Sequence, residues 1–348
     1  MITEAIQKVV NGENLGQEQA EAVMSEIMTG DATPAQIGAL LAALRLKRET
    51  ADEICGFARA MHRRAEQVPT RHRFVIDTCG TGGDGARTFN ISTTAALVVA
   101  AAGVPVAKHG NTSVSSRCGS ADVLRQLGVN LEVSPFEMGA CLDSVGIAFL
   151  FAPRLHPAMR HAAGARREIG IRTVFNILGP LTNPLRPRAQ VLGVFDPATA
   201  ELVAGALAEL DIERAFVVHG SGGLDELSLA GPSLIWEVRS GSVRPGTLDP
   251  AELGFERTAV ACLSGGSPAD NAVLTRGVLS GERGPRRDAV LLNAGLALVA
   301  AGSAGGMPEA VRLAAETIDS GAARQKLESL IEFTQRCTNA EHDHRRQA

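Results

Sequence analysis

The residues best suited to chemistry in this chain lie in a glycine-rich segment that follows a short apolar run. Residues 74–76 (FVI) predict a buried strand, and residues 80–85 read GTGGDG, with four glycines in six positions. Glycine permits positive φ and close approach to a ligand, and a following helix start offers N–H groups to an anion. Because one tight turn needs fewer glycines, the segment predicts a phosphate-binding loop.

Two familiar phosphate loops do not fit this segment. No Lys-Ser or Lys-Thr pair follows the last glycine, as the P-loop pattern requires. Gly80, Gly82 and Gly85 formally match the dinucleotide pattern G-x-G-x-x-G, which expects a ribose-binding acid about 20 residues further on. Residues 85–121 contain neither Asp nor Glu, and Asp84 would repel a pyrophosphate unless a cation lay between them. The sequence therefore disfavours a plain NAD site.

A second polar segment, KHGNTSVSS at residues 108–116, follows the next apolar run. Its Lys, Asn, Thr and Ser side chains can bind phosphate or hydroxyl groups, although such segments are also common in solvated turns. Ligands of an open α/β sheet bind at the carboxyl ends of its strands. We therefore expect the two loops to face one another across a site.

Charged pairs add a metal site and a carboxylate site to this prediction. Asp225 and Glu226 follow a glycine turn, and Mg²⁺ prefers carboxylate ligands and bridges to substrate phosphates. Two acids in a turn are usually just solvated, but two phosphate loops that need neutralisation favour Mg²⁺ here, supported by the Ser92 hydroxyl. Arg166 and Arg167 could bind a planar carboxylate, although surface exposure is the default for such a pair on a helix.

The composition of the chain argues against several classes of protein. The net charge of −4 and an aromatic content of 3% argue against a nucleic-acid partner or an anionic membrane. The longest apolar run, residues 95–107, is too short to span a bilayer, and the N-terminus lacks the features of a signal peptide. Six scattered cysteines without a C-x-x-C pair indicate a reducing compartment. We predict a cytoplasmic protein.

The first 66 residues predict four helices. Thr33 with Gln36 and Thr50 with Glu53 fit the capping-box pattern, and apolar residues recur at helical spacing behind each of them. This part carries little polar chemistry, which suggests packing or dimer contact.

Strands and helices alternate from residue 74 onward, which predicts a mainly parallel sheet. The predicted strands are 74–78, 104–107, 147–151, 190–195 and 214–219, with further strand at 224–238. The predicted helices are 90–102, 120–128, 135–145 and 197–210, and residues 268–335 are mostly helical. A helical, proline-rich insert at 152–187 interrupts the alternation, and residues 176–184 in it fit neither a helix nor a strand.

The fold class is therefore α/β: a small all-helical domain plus a large domain with a mainly parallel central sheet flanked by helices. We predict that residues 1–70 form the helical domain, to which 155–187 return. Residues 71–154 and 188–338 form the α/β domain, and 339–348 a polar tail.

Six motifs in order give the chain a resemblance to a known family. They are DTCGTGGDG, FNIST, KHGN-x-SVSS-x-x-GSAD, HPAM, RRE-x-G-x-RT-x-FN-x-LGPL-x-NP and DELS. With them, residues 3–335 resemble the anthranilate phosphoribosyltransferases of tryptophan biosynthesis. The resemblance implies Mg²⁺-dependent transfer of a phosphoribosyl group from phosphoribosyl pyrophosphate (PRPP) to the anthranilate amine, by a homodimer that associates through its helical domain.

The resemblance also implies roles for individual residues. PRPP would be bound by residues of the two loops and of two helix starts: Gly80, Gly83, Asp84, Thr88, Asn90, Ile91, Ser92, Thr93, Lys108, His109, Gly110, Asn111, Thr112, Ser113, Val114, Ser115, Ser116 and Ser120. Anthranilate would meet Gly80, His109, Asn111, Ala152, Pro153, His156, Met159, Arg166 and Arg167. Ser92, Asp225 and Glu226 would hold Mg²⁺, with two ions in each active site.

The chain departs from the family pattern at several positions, of which Thr112 matters most, and two alternatives stay open. Thr112 stands where the family usually has Arg, which could weaken PRPP contacts or alter loop closure. A pyrimidine nucleoside phosphorylase-like enzyme would share the helical-plus-α/β layout, but GTGGDG and the acidic pair favour a pyrophosphate substrate. A non-catalytic nucleic-acid-binding relative should show basic grooves and lost acids, whereas this chain keeps Asp225 and Glu226.

Overall fold

The computed structural model describes residues 1–113 and 117–347, with side chains described through residue 337. Its N-terminal part consists of α1 (Ile2–Val10), α2 (Gln17–Thr29), α3 (Pro34–Lys47) and α4 (Ala51–Arg64). These are the four helices predicted for residues 1–66.

Capping boxes start α3 and α4, as predicted. Thr33 N–H donates to Gln36 Oε1 at 2.9 Å while Gln36 N–H donates to Thr33 Oγ1 at 3.3 Å. Thr50 and Glu53 exchange the same pair of bonds at 2.8 and 3.3 Å. Each box satisfies N–H groups that the first turn of a helix leaves without partners.

The described residues of the second part form a seven-stranded sheet in the order β3-β2-β1-β4-β5-β6-β7. Its strands are β1 (Ile76–Gly80), β2 (Val106–Gly110), β3 (Ile147–Phe151), β4 (Ala189–Gly193), β5 (Arg214–His219), β6 (Ser233–Arg239) and β7 (Ser242–Leu248). Strands β1 to β5 pair in parallel, while β6 and β7 add antiparallel pairs at one edge. The mainly parallel sheet is confirmed.

Helices cover both faces of this sheet. After β1 come α5 (Ile91–Ala101), α6 (Ser120–Leu127), α7 (Pro135–Val145), α8 (Ala152–Leu155), α9 (Arg160–Ile169), α10 (Phe175–Leu181), α11 (Pro197–Ala208), α12 (Pro268–Leu279), α13 (Pro285–Ala300), α14 (Met307–Asp319) and α15 (Ala322–Gln347). Residues 339–347 of the predicted polar tail continue α15. No helix in the described part of the chain is both long and apolar enough to cross a bilayer.

The insert between β3 and β4 packs against the N-terminal helices. Helix α9 contacts α2 and α3, and α10 contacts α4. One buried apolar cluster joins α1–α4, α9, α10 and α11 to one face of β4 and β5, and a second lies among α5–α7, α12–α15, β1–β3 and the other face of β4 and β5.

Two local predictions were wrong. Residues 176–181 were expected to be irregular, yet they lie in α10, with Phe175, Leu178, Pro180 and Leu181 buried. Tertiary burial stabilises this short helix although its intrinsic propensity is poor. The strand predicted over 224–238 begins only at Ser233, because the residues before it form the turn that carries the acidic pair.

Candidate active site

The site lies at the point where the strand order of the sheet reverses. Strands β2 and β3 continue to one side of β1, while β4 and β5 continue to the other, and ligands of open α/β sheets bind at such a switch point. Strands β1 and β4 end side by side, with Gly80 opposite Gly193. The two predicted loops follow the carboxyl ends of β1 and β2, so they share one edge of the sheet.

Asp225 reaches this edge because both strands end in glycine. A Cβ atom on Gly80 would lie 2.3 Å from Asp225 Oδ2, and one on Gly193 would lie 1.6 Å from the Asp225 carbonyl oxygen. Any larger residue at either position would push the acidic turn away. Gly193 is not among the predicted site residues, since a lone glycine at the end of an apolar run is a weak signal.

The glycine loop is bonded to its surroundings from several directions. Thr81 N–H donates to the Gly193 carbonyl at 2.9 Å, and Gly82 N–H donates to Asp225 Oδ2 at 2.7 Å. Gly82 and Gly83 adopt φ of 65° and 81°, a region that glycine enters without strain. The arrangement presents the loop beside the acidic turn, as a phosphate loop with a nearby metal would require.

The three predicted metal ligands are brought together. Ser92, in the first turn of α5, donates its N–H to Glu226 Oε1 at 3.0 Å. Lys108 Nζ lies 3.5 Å from Ser92 Oγ and donates to the Thr78 carbonyl, and its side chain is only 3% exposed. One ammonium group therefore lies within the same cluster as the two carboxylates.

Electrostatics makes this cluster a place that attracts cations. Burial raises the pKa of Asp225, and the nearby Asp84 carboxyl raises it further. Burial also raises the pKa of Glu226, with repulsion from Asp225 acting in the same direction and Lys108 acting against it. The Lys108 ammonium offsets only part of the effect of burial on Glu226, so a further cation would stabilise the charged forms of the two enclosed acids.

The donor set fits Mg²⁺. Carboxylate and hydroxyl oxygens are the ligands that Mg²⁺ prefers, and it commonly uses one or two carboxylates together with water and substrate phosphate. Among the described residues, no group of three or more His, Cys, Asp or Glu side chains is arranged to hold a metal. Asp225 and Glu226 would therefore act with Ser92 and a bound phosphate.

The second loop is bonded to the start of α6. Ser113 N–H and Gly119 N–H both donate to Asp122 Oδ2, at 2.9 and 2.8 Å, and Ser120 Oγ donates to the Asn111 carbonyl at 3.4 Å. A Cβ on Gly110 would lie 2.3 Å from Ser120 Oγ, so glycine lets the loop approach the helix. The predicted site residues Val114, Ser115 and Ser116 lie outside the described residues.

The remaining predicted PRPP residues have mixed surroundings. Asn90 Oδ1 accepts from Asn271 Nδ2 at 2.9 Å, which orients the side chain at the start of α5. Thr88 forms an isolated antiparallel β-bridge with Ser264. The side chains of Ile91 and Thr93 are buried in the protein interior. Thr112 donates its N–H to Asn111 Oδ1 at 2.7 Å.

Two predicted anthranilate residues, His109 and His156, meet on the other side of the site. Their ring centroids are 5.2 Å apart, and His109 Nδ1 lies 3.1 Å from the Gly179 carbonyl oxygen. Burial lowers the pKa of His109 to about 3 and that of His156 to about 4. A third histidine, His62 of α4, was missed by the sequence analysis, and burial lowers its pKa to about 4. All three rings are neutral at pH 7.

A buried polar pair holds the insert on the sheet beneath these rings. Asn183 Nδ2 donates to Asp77 Oδ2 at 2.9 Å and to the Ala107 carbonyl at 2.8 Å. Asp77 Oδ1 accepts from His109 N–H at 3.2 Å, and burial raises the Asp77 pKa to about 6, against the opposing effect of Lys108. The sequence motifs contain Asp77 and Asn183, but only the structure pairs them.

The other predicted anthranilate residues line the insert. Ala152 and Pro153 lie in α8, and Met159 ends a short 3₁₀ turn after His156. The Arg166 guanidinium lies 4.8 Å from the Phe175 ring centroid, and Arg167 is exposed. Within the described part of the chain, neither arginine makes a hydrogen bond or ion pair with another predicted site residue, so a role in anthranilate binding stays a prediction for both.

This fold and this site define a glycosyl transferase. The family model described as "Glycosyl transferase family, a/b domain" matches residues 72–324, and the corresponding helical bundle domain matches residues 3–65. The match therefore covers both parts of the chain, and it agrees with a site built for a phosphorylated sugar.

Curated relatives of this chain indicate a more specific family among the glycosyl transferases. The chain is 75% identical over 345 residues to the anthranilate phosphoribosyltransferase of Desulforudis audaxviator, covering 99% of this chain and 100% of the relative. It is 61% identical to that of Pelotomaculum thermopropionicum over 96% of this chain and 97% of the relative. This chain belongs to the anthranilate phosphoribosyltransferase family, as the motifs predicted, and the nucleoside phosphorylase and nucleic-acid-binding alternatives are not supported.

Solved structures agree with this family. The anthranilate phosphoribosyltransferase of Thermus thermophilus superimposes with a TM-score of 0.90 at 47% identity, over 95% of this chain and 99% of that one. The Saccharomyces cerevisiae enzyme in complex with PRPP and Mg superimposes with a TM-score of 0.89 at 28% identity, over 96% and 98% of the two chains. A further yeast structure is a complex with 4-fluoroanthranilate, with a TM-score of 0.86 at 27% identity over 96% and 97%.

Proposed function

We propose that this enzyme transfers the 5-phosphoribosyl group of PRPP to the anthranilate amine, giving N-(5-phosphoribosyl)anthranilate and pyrophosphate in a Mg²⁺-dependent reaction of tryptophan biosynthesis. The observation that carries the proposal is the contact between the glycine loop and the acidic turn, in which Gly82 N–H donates to Asp225 Oδ2 at 2.7 Å. It brings the loop that we propose binds phosphate next to an acid that we propose binds Mg²⁺, at one edge of the sheet. The yeast relative solved with PRPP and Mg supports both ligands.

PRPP would lie with its pyrophosphate against the glycine loop and the start of α5. Backbone N–H groups of the loop donate to phosphate oxygens, and the partial positive charge of the helix N-terminus adds to the attraction. The second loop, with Asn111 and Ser120, would bind the remainder of the donor. Lys108 is buried beside Ser92, so its positive charge is shielded from solvent and acts on the neighbouring groups of the cluster.

Ser92, Asp225 and Glu226 would hold Mg²⁺. We propose two Mg²⁺ ions in each active site. When bound, Mg²⁺ supplies positive charge that neutralises the pyrophosphate both in the ground state and as it leaves. The protein's own part is to keep the two carboxylates away from solvent, with Asp225 held against the glycine loop and Glu226 against the start of α5. The Gly80 and Gly193 positions, which admit no side chain, make that approach possible.

Anthranilate would approach along the histidine side. His109 and His156 are uncharged at neutral pH because burial lowers the pKa of each, so neither ring adds a positive charge beside the incoming amine. Arg166, whose guanidinium rests on Phe175, is proposed to bind the anthranilate carboxylate. These contacts orient the amine toward C1 of the ribose.

The chemistry then requires little acid–base assistance. An arylamine is neutral at pH 7, so its nitrogen can attack C1 directly as the bond from C1 to the pyrophosphate oxygen breaks. The new C–N bond leaves a positively charged nitrogen, which loses its proton to solvent or to the departing pyrophosphate. Positioning and electrostatic stabilisation of the leaving group therefore carry most of the rate enhancement.

We further propose a homodimer formed through the helical domain. Three large apolar side chains within residues 1–70 are exposed in the single chain: Met1 at 61%, Val10 at 67% and Leu46 at 86%. Association would cover them, and light scattering at several protein concentrations measures it. The cytoplasmic location stays a prediction.

The test of function is the loss of anthranilate fluorescence on addition of PRPP, with and without Mg²⁺. We expect consumption that requires both PRPP and the metal. Phosphorolysis of thymidine or uridine, measured in parallel, should be undetectable. No consumption of anthranilate by a folded enzyme would contradict the proposal.

A further inference from the structure

Arg172, which the predicted site does not include, reaches the glycine loop from the insert. It lies between α9 and α10, and its Nη1 and Nη2 atoms donate to the carbonyl oxygens of Gly83 at 3.2 Å and Gly82 at 3.0 Å. Its guanidinium carbon lies 4.0 Å from the ring centroid of Phe195, just beyond β4. Stacking on the Phe195 ring orients the guanidinium group. Its two hydrogen bonds in turn hold the successive carbonyls of Gly82 and Gly83.

These two bonds determine where the loop N–H groups point. In a planar trans peptide the C=O and the N–H of the next residue point in opposite directions. With the Gly82 and Gly83 carbonyls held by Arg172, the N–H groups of Gly83 and Asp84 face the other way. Neither N–H donates to a protein acceptor among the residues that the structure describes, so both are available to an anion.

The loop sequence is matched to this arginine. A Cβ atom on residue 83 would lie 1.5 Å from Arg172 Nη1, so a side chain there would displace the guanidinium. Burial lowers the pKa of Arg172, and the nearby Asp225 and Asp84 carboxyl groups act in the opposite direction, so the guanidinium lies at the border of the acidic cluster. Glycine at 83 thus serves the contact with arginine as well as the positive φ of 81°.

We propose that Arg172 is a positioning residue for the phosphoribosyl donor, orienting the two loop peptide groups whose N–H bonds hold the pyrophosphate. It also ties the loop to the insert, whose α9 packs against α2 and α3 of the helical domain. The donor site thereby depends on a residue that belongs to the other part of the molecule. This inference rests on the proposed function, since it assigns the loop to PRPP.

The test compares Arg172→Ala and Arg172→Lys with the unmodified enzyme. For Arg172→Ala we expect KM and Kd for PRPP to rise about tenfold or more, because two charge-assisted hydrogen bonds to the loop are lost. The KM for anthranilate should change less than about twofold, since Arg172 orients only the donor loop. Lysine supplies one donor instead of a fork, so Arg172→Lys should fall between the two.

Arg160→Ala, an exposed position at the start of α9, is the matched control for removing a cation from the insert. PRPP affinity is measured by calorimetry with Mg²⁺, and melting temperature is measured for every variant. The inference is overturned if Arg172→Ala binds PRPP as Arg160→Ala does. It is equally overturned if both KM values rise together with a lowered melting temperature that Arg172→Lys does not restore.

The same data separate this inference from the proposed function. An unmodified enzyme that binds PRPP but does not consume anthranilate contradicts the proposed reaction, while the Kd comparison still decides the role of Arg172. An unmodified enzyme that does not bind PRPP contradicts both.

Discussion

The two halves of the active site bury titratable groups with opposite consequences. In the donor half, around the glycine loop, burial raises the pKa values of Asp225 and Glu226. In the acceptor half, burial lowers the pKa values of His109 and His156 to about 3 and about 4. One physical cause acts in both, because a low-dielectric environment disfavours the charged form of any group.

The two halves differ in how they avoid the energetic cost of burying a charged group. The histidines simply stay neutral and hydrogen-bond to backbone, as His109 does with Gly179. Around the acids, the Lys108 ammonium and the N–H bonds that the carboxylates accept oppose the effect of burial without cancelling it, so a bound divalent cation would stabilise the charged forms further. The buried carboxylates and the Lys108 ammonium thus lie together in the donor half, whereas the buried rings of the acceptor half are uncharged.

The largest expected effect comes from removing the charge of the donor half. Asp225→Asn combined with Glu226→Gln should lower kcat about 100-fold or more, because the stabilisation of the leaving pyrophosphate is lost. Turnover is measured across a Mg²⁺ titration, with Glu201→Gln on the exposed face of α11 as the control. A variant with unchanged rate and Mg²⁺ dependence would show that the acids do not hold the metal.

The acceptor half should respond in a different parameter. Arg166→Ala should raise the KM for anthranilate about tenfold, because the carboxylate loses a charge-assisted partner, and should leave the KM for PRPP unchanged. Steady-state kinetics with each substrate varied in turn measures the split, and Arg160→Ala serves as the control. An effect confined to PRPP would assign Arg166 to the donor half instead.

The neutral histidines predict a loss of stability at acidic pH. When the pKa of a histidine is lower in the folded state, the unfolded chain binds more protons than the folded chain at acidic pH. The contribution of such a histidine to the free energy of unfolding is therefore fully present above pH 6.5 and is lost as the pH falls toward 4. For His62 alone this amounts to about 1 kcal/mol at pH 5.5.

The variant His62→Gln should therefore lose less stability between pH 7.5 and 5.5 than the unmodified protein. Urea unfolding at the two pH values measures the difference, and His161→Gln on α9 is the matched control. Equal pH dependence in His62→Gln and the unmodified protein would exclude a contribution from this buried ring.

The smallest expected effect adds charge to the donor half. Thr112→Arg should lower the KM for PRPP about two- to threefold, because an exposed cation near a phosphate contributes less than about 1 kcal/mol. Thr112→Gln is the uncharged control, since both variants lose the bond from the threonine hydroxyl to Asn111 Oδ1. A KM that rises in Thr112→Arg would mean that the loop has adapted to the smaller residue.

Much of the fold follows from local sequence signals. The bounds of β3, β5 and α7 agree with their predictions, and both capping boxes start helices where Thr and Gln or Glu recur at the required spacing. The antiparallel β7 was not predicted, because a polar edge strand has little of the apolar periodicity that marks buried strands. Helix α10 was missed for the converse reason, since burial rather than propensity stabilises it.

The sequence by itself determined which groups the active site contains: a glycine loop, a second polar loop and an acidic pair, in an order typical of one family. Only the tertiary structure decided how they act on one another. The approach of Asp225 across Gly80 and Gly193, the neutral state of the histidines and the contact of Arg172 with Gly82 and Gly83 join residues distant in the chain. Spacing along a chain predicts local backbone structure, whereas burial and long-range contacts arise only when the two parts of the molecule pack together.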